Sequence, residues 1–178
     1  MTDETTQVER ISSMIDAFAI AFGSARAAIY CFPNVHDHSA FVRYLGSFLS
    51  LLRRADLRPV YSWSFDSNRD CYNFILVVNG YFRNDVRDIT EAAQRIWRLY
   101  STDPIEFIAD IPIKADTLQN DKERIFNTLF SSSFFPKHPQ KILPSHQRAF
   151  SCSRVNSYPL RKKTMFQILR MKKDNDSD

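Results

Sequence analysis

Val60-Tyr61-Ser62-Trp63-Ser64-Phe65, the polar turn Asp66-Ser67-Asn68-Arg69-Asp70, and Cys71-Tyr72-Asn73-Phe74-Ile75-Leu76-Val77-Val78 closed by Asn79-Gly80 form the stretch that decides the fold. Both arms are dense in aromatic and β-branched residues, so they predict two antiparallel strands joined as a hairpin. In the first arm Tyr61, Trp63 and Phe65 alternate with Val60, Ser62 and Ser64, which makes one face strongly aromatic.

Upstream, Val8, Ile11, Ile15, Phe18 and Phe22 recur at helical spacing and predict an amphipathic first helix from Thr5 to about Ala25. Ala27 to Phe32 reads as a short strand ending at Pro33. After the loop Asn34-Val35-His36-Asp37-His38, Ser39 is suited to cap a second helix to about Ala55, with Phe41, Leu45, Phe48, Leu49 and Leu52 inward. Downstream, Ile89, Ala92, Ala93, Ile96 and Leu99 mark a helix over about Asp85 to Tyr100. Ile105 to Ile113 reads as a strand, Asp121 to about Ser131 as a helix, and Ser132 to Ser145 as a Pro- and Ser-rich loop. Arg148 to Ser153 is a last strand, and a short helix is placed at Thr164 to Met171 in the basic extension.

The order α β α β β α β α β predicts an α+β fold: an antiparallel sheet with helices packed mainly on one face, ferredoxin-like or RRM-like, with a leading helix and a basic C-terminal extension. A length of 178 residues suits one domain with one core, over residues 1–155, followed by a basic tail over 156–178. With 44% hydrophobic residues and 15 Phe, burial can offset the entropy of ordering the chain.

Three glycines, Gly23, Gly46 and Gly80, are too few for a phosphate-cradling loop, which excludes a P-loop or dinucleotide fingerprint. Cys31, Cys71 and Cys152 lack the paired spacing of a zinc site or disulfide framework and suit a reducing compartment. The stretch Met1 to Arg10 is acidic and polar, and no apolar run approaches membrane-spanning length. The expectation is a cytoplasmic protein without membrane contact, metal or cofactor.

Charge is distributed unevenly. Residues 137–173 hold ten of the 24 basic residues and no acid, whereas the first 136 residues hold 14 bases against 17 acids. A basic segment of this density suits the phosphate backbone of a nucleic acid, where counterion release drives attraction; its bland alternative is a solvated tail.

Tyr61-Ser62-Trp63-Ser64-Phe65-Asp66 followed by Cys71-Tyr72-Asn73-Phe74-Ile75-Leu76-Val77-Val78-Asn79-Gly80 resembles a replication-protein family of filamentous phages (inoviruses) and prophages. That family belongs to the rolling-circle initiators of the HUH endonuclease superfamily, with the pattern Tyr-x-Trp-x-x-Glu, a turn, then His-Tyr-His, aliphatics and Asn. Ala93 and Trp97, and Arg148-Ala149-Phe150-Ser151-Cys152-Ser153-Arg154, extend the similarity over about residues 26–155.

The resemblance implies a metal held by two histidines on one strand face and an acid on the neighbouring strand, and a tyrosine that attacks the scissile phosphate. Here the histidine positions are Cys71 and Asn73, the acidic position is Asp66, and the nucleophile position falls on Ser131, with Phe134 where a lysine would follow. No Tyr occurs between Tyr100 and Tyr158. A neutral thiol and a carboxamide are poor ligands for Mg²⁺ or Mn²⁺, so the resemblance implies an inactive relative with no catalytic residue and no cofactor.

The first expectation is therefore a degenerate initiator that binds single-stranded or hairpin DNA through Arg148, Arg154, Arg161, Lys162, Lys163, Arg170, Lys172 and Lys173 and the former active-site face. The alternative is a protein-interaction module of a mobile element that binds and inhibits or regulates a host nuclease or defence complex. A metal-dependent nickase with unusual ligands stands third.

Rival sites are weaker. His36-Asp37-His38 lacks a third and fourth ligand, and His138 and His146 are isolated. Asp66 and Asp70 are expected to raise the Cys71 pKa and discourage its thiolate, leaving it a small buried or semi-buried residue, whereas Cys152 beside Arg148 and Arg154 is better placed for reactivity. Tyr61, Trp63, Tyr72 and Phe74 are assigned mostly to the core, with one or two kept as a stacking platform for unpaired bases.

Overall fold

The computed structural model describes residues 4–35, 37–66, 69–80, 86–131 and 150–152, with side chains from Val8 to Leu129 within those ranges. Its elements run α1 (Glu4–Phe22), β1 (Ser24–Pro33), α2 (His38–Arg54), β2 (Val60–Asp66), β3 (Cys71–Asn79), α3 (Arg87–Trp97), β4 (Glu106–Lys114), α4 (Leu118–Ser131) and β5 (Phe150–Cys152). The strands form one sheet in the order β4-β1-β3-β2-β5, and every ladder is antiparallel. Within it, β1-α2-β2-β3-α3-β4 with order β4-β1-β3-β2 matches a ferredoxin-like arrangement.

The hairpin forms as expected, with Asp66 opposite Cys71 and Val60 opposite Val77. Helix boundaries shift for local reasons. Asp37, not Ser39, caps α2: its Oδ1 accepts the Ser39 backbone N–H at 2.8 Å, and the Ser39 hydroxyl donates to the same oxygen. Asp121 does not open α4 but lies one turn inside it. Its carboxylate reaches back to accept the Lys114 N–H at 3.0 Å and the Thr117 hydroxyl at 2.7 Å, satisfying donors at the helix entry. The expected short helix at Thr164 to Met171 lies outside the described residues.

Helices cover both faces of the sheet, not mainly one, and the expected single core is two layers. On one face α2 and α3 pack Phe41, Tyr44, Phe48, Leu52, Ile89 and Trp97 against Tyr30, Phe32, Trp63, Tyr72, Phe74 and Leu76. On the other, α1 and α4 pack Ile11, Ile15, Phe18, Ile125 and Leu129 against Ala27, Ile29, Cys31, Cys71, Ile75 and Val77. The reason lies in the central strands: Cys71 to Val78 are buried without interruption, so β3 has no solvent face and needs a layer on each side.

The β4 edge is blunted. Pro112 removes one ladder donor from this strand, and a bulge breaks its register opposite Ile29 and Tyr30. Arg26 clamps it to β1 through a bidentate pair with Asp110, at 2.9 and 2.8 Å. Among the described residues, no helix is long and apolar enough to cross a membrane.

Candidate functional site

The β2–β3 hairpin sorts its side chains by parity. Tyr61, Trp63, Phe65, Tyr72 and Phe74 project toward α2 and α3, while Ser62, Ser64, Asp66, Cys71 and Asn73 occupy the face toward α1 and α4. The three positions singled out on the hairpin therefore do come together. Asp66 pairs with Cys71 across β2–β3, and Asn73 lies between Ser64 of β2 and Cys31 of β1.

This polar seam is interior. Asp66 is 5% exposed, Cys71 2% and Asn73 0%, beside fully buried Ser62 and Ser64. Asp66 accepts the Arg69 backbone N–H at 3.3 Å, so its carboxylate shapes the hairpin turn.

Cys71 differs from the expectation that neighbouring acids would raise its pKa. The Cys31 thiol donates a hydrogen bond to it, and this lowers the Cys71 pKa despite opposition from burial and from Asp66 and Glu106; Arg69 adds to the lowering. Cys31 is pushed up correspondingly, first by that hydrogen bond and then by burial. Sequence reasoning missed this pair because 40 positions separate the two thiols and only the β1–β3 register brings them together. The other part of the expectation, a buried Cys71, holds.

The seam does not fit a hard divalent cation. One carboxylate, two mutually hydrogen-bonded thiols and a carboxamide are a mismatched donor set for Mg²⁺ or Mn²⁺. Among the described residues, no group of three or more His, Cys, Asp or Glu is arranged to hold a metal.

The remaining sites fall as follows. Ser131 ends α4, and its side chain lies outside the described part, as does that of Cys152 in β5. His36, Phe134, His138, His146 and the eight basic residues Arg148, Arg154, Arg161, Lys162, Lys163, Arg170, Lys172 and Lys173 also lie outside it.

Most of the aromatic side of the hairpin is covered by α2 and α3. Phe41 stacks on Tyr72 with ring centroids 3.9 Å apart, and Trp63 meets Phe41 edge-on at 5.7 Å. Trp63, Tyr72 and Phe74 are all buried beneath the helices, and Tyr61 is the half-buried one of the four. His38, at the start of α2, joins this cluster through a hydrogen bond between its Nδ1 and the Tyr72 hydroxyl. Partial burial lowers the His38 pKa, with Asp37 pulling the other way.

No family model, curated protein or solved structure matches the chain.

Proposed function

We propose that the chain is a catalytically inactive, HUH-type relative of a rolling-circle replication initiator that binds DNA and serves a phage or other mobile element. One observation carries the reading: Asp66, Cys71 and Asn73 share one face of the hairpin at the positions where the family pattern sets an acid and two histidines. Buried there, a thiol and a carboxamide have neither the basicity nor the access that a metal-polarised phosphate requires. α4, which ends at Ser131, packs on the same face, in keeping with a scaffold that once presented a nucleophile to this seam. The basic segment 137–173 supplies the attraction to DNA phosphates.

Fluorescence anisotropy of labelled single-stranded, hairpin and duplex DNA across a salt series tests the reading. Binding that weakens steeply with salt is expected, without a covalent protein–DNA adduct in Mg²⁺ or Mn²⁺. A Mn²⁺-dependent adduct would restore catalysis. No binding at low salt to any of the three DNA forms would remove the DNA reading and put docking to a host protein in its place.

A further inference from the structure

The two outer helix layers differ in charge. The α2/α3 layer, from Asp37 to Arg58 and Val86 to Tyr100, carries seven arginines (Arg43, Arg53, Arg54, Arg58, Arg87, Arg95, Arg98) against four acids. All seven are exposed. The helix α2 contains no acid at all in its 17 residues. The α1/α4 side, from Val8 to Phe22 and Lys114 to Leu129, carries four bases against five acids.

On the α1/α4 side Lys122 bonds Asp16 at 2.8 Å and Arg124 approaches Asp121 at 3.8 Å, and on the α2/α3 side Arg58 bonds Asp56 at 2.8 Å. On the α2/α3 side, Arg53, Arg54, Arg95 and Arg98 make no ion pair with any described residue. Arg43 has only a loose contact with Asp37 at 3.7 Å, both partners being well exposed, which a competing anion displaces at little cost.

The two helices also pack on one another. Crossovers between antiparallel β1 and β3 and their partners set α2 and α3 antiparallel, and Tyr44 locks them together, meeting Trp97 edge-on at 5.1 Å. The Ser47 and Tyr100 hydroxyls meet at 3.3 Å on the outer surface. Arg43, Ser47, Ser50 and Arg54 form one exposed stripe, which holds Arg43 and Arg54 about 16 Å apart along the helix. Arg95 stands on the last turn of α3 and Arg98 is its C-cap, at the end of α3 that lies beside the middle of α2.

We infer that this outer α2/α3 surface docks the phosphate backbone of a nucleic acid, an inference that rests on the DNA-binding reading above and assigns the contact to the folded body as well as the basic segment. The residue type favours phosphate: no lysine occurs before Lys114, so every base of this surface is a guanidinium, whose planar fork bonds a phosphate at two points. A row of exposed guanidinia, of which Arg53, Arg54, Arg95 and Arg98 make no ion pair with any described residue, suits a polymer of regularly spaced anions. The contact carries no sequence information, because backbone contacts position a protein without reading bases.

The test compares full-length variants in the anisotropy assay. Arg54→Glu with Arg95→Glu reverses two charges on the α2/α3 surface; Lys114→Glu with Arg124→Glu makes the same change in net charge on the opposite layer. The first pair is expected to weaken DNA binding about tenfold or more at about 50 mM salt and to make the salt slope shallower by roughly 1.4 to 1.8; the second is expected to change affinity by less than about threefold. Arg53→Gln with Arg98→Gln repeats the test without introducing acids, and circular dichroism checks that each variant is folded. Wild-type binding that both α2/α3 pairs leave as strong as the control pair does would overturn the inference while the DNA reading stands. A wild-type chain that binds no DNA would overturn both.

Discussion

Cys71 stands directly across from Asp66 in the β2–β3 ladder, and on its other side its thiol accepts a hydrogen bond from Cys31 of β1. Cys71 is thus part of the interior, 2% exposed, as one of a pair of neighbouring thiols.

Placing imidazoles in this seam is therefore expected to harm the fold without producing catalysis. Cys71→His and Asn73→His enlarge side chains that are 2% and 0% exposed, and overpacking costs about 1–3 kcal/mol at each. At about 2–4 °C per kcal/mol for a chain of this size, the double variant should melt at least about 4 °C below wild type by thermal denaturation. A Mn²⁺-dependent covalent DNA adduct in that variant would show that the seam opens.

Alkaline pH is expected to destabilise the protein through its buried phenols. Burial raises the Tyr30 pKa from 10.0 to about 12, with Asp110 adding to the rise and the Thr90 hydroxyl opposing it; Tyr44 and Tyr72 are raised as well, also chiefly by burial. The unfolded chain therefore loses these protons first. The contribution of Tyr30 is fully present below pH 10.0 and is lost as pH rises through about 12, at up to about 1.4 kcal/mol per pH unit. Urea unfolding between pH 8 and 11 checks this, and Tyr30→Phe should flatten the decline; an unchanged slope would assign it to other groups.

Lys122 ties α4 to α1 across 106 positions, with Nζ 2.8 and 3.0 Å from the two oxygens of Asp16. Lys122 is 13% exposed and Asp16 39%, so solvent screens the pair only in part. Removing either partner is expected to cost about 1 kcal/mol, and a double-mutant cycle should return a coupling of about 0.5 kcal/mol or more that shrinks in high salt. Additive single losses would make the contact energetically neutral.

Gly80→Ala is expected to destabilise by about 1–3 kcal/mol. A Cβ at Gly80 would lie 2.9 Å from the Ala25 carbonyl carbon, where the end of β3 meets the start of β1 and Gly80 N–H donates to Ser24 O. Backbone cannot swing aside as a long side chain does. A variant that melts with wild type would show that this corner of the sheet is pliable. Gly46→Ala, open around its Cβ and on the exposed side of α2, is the matched control and should be neutral or stabilising.

Local periodicity made nearly all the elements legible. The alternation Tyr61, Trp63, Phe65 against Ser62, Ser64 marked β2 and its aromatic face, and the helical spacing of Phe41, Leu45, Phe48 and Leu52 marked α2. These signals lie within a few residues of one another, and they reflect which side of an element meets apolar neighbours. Even the coverage of both faces left a trace, since Phe74 to Val78 is apolar at every position and a one-faced sheet would have alternated.

The sequence by itself determined the order of strands and helices and the β2–β3 hairpin. Tertiary structure alone decided that α1 and α4 cover the face opposite α2 and α3, that the Cys31 and Cys71 thiols are neighbours, and that Asp66, Cys71 and Asn73 are interior. It alone set α2 and α3, which carry the exposed Arg43, Arg54 and Arg95, against the same face of the sheet. The physical reason is range: a repeat along the chain tells which side of an element is buried, whereas the partner that buries it is chosen by packing between segments tens of residues apart.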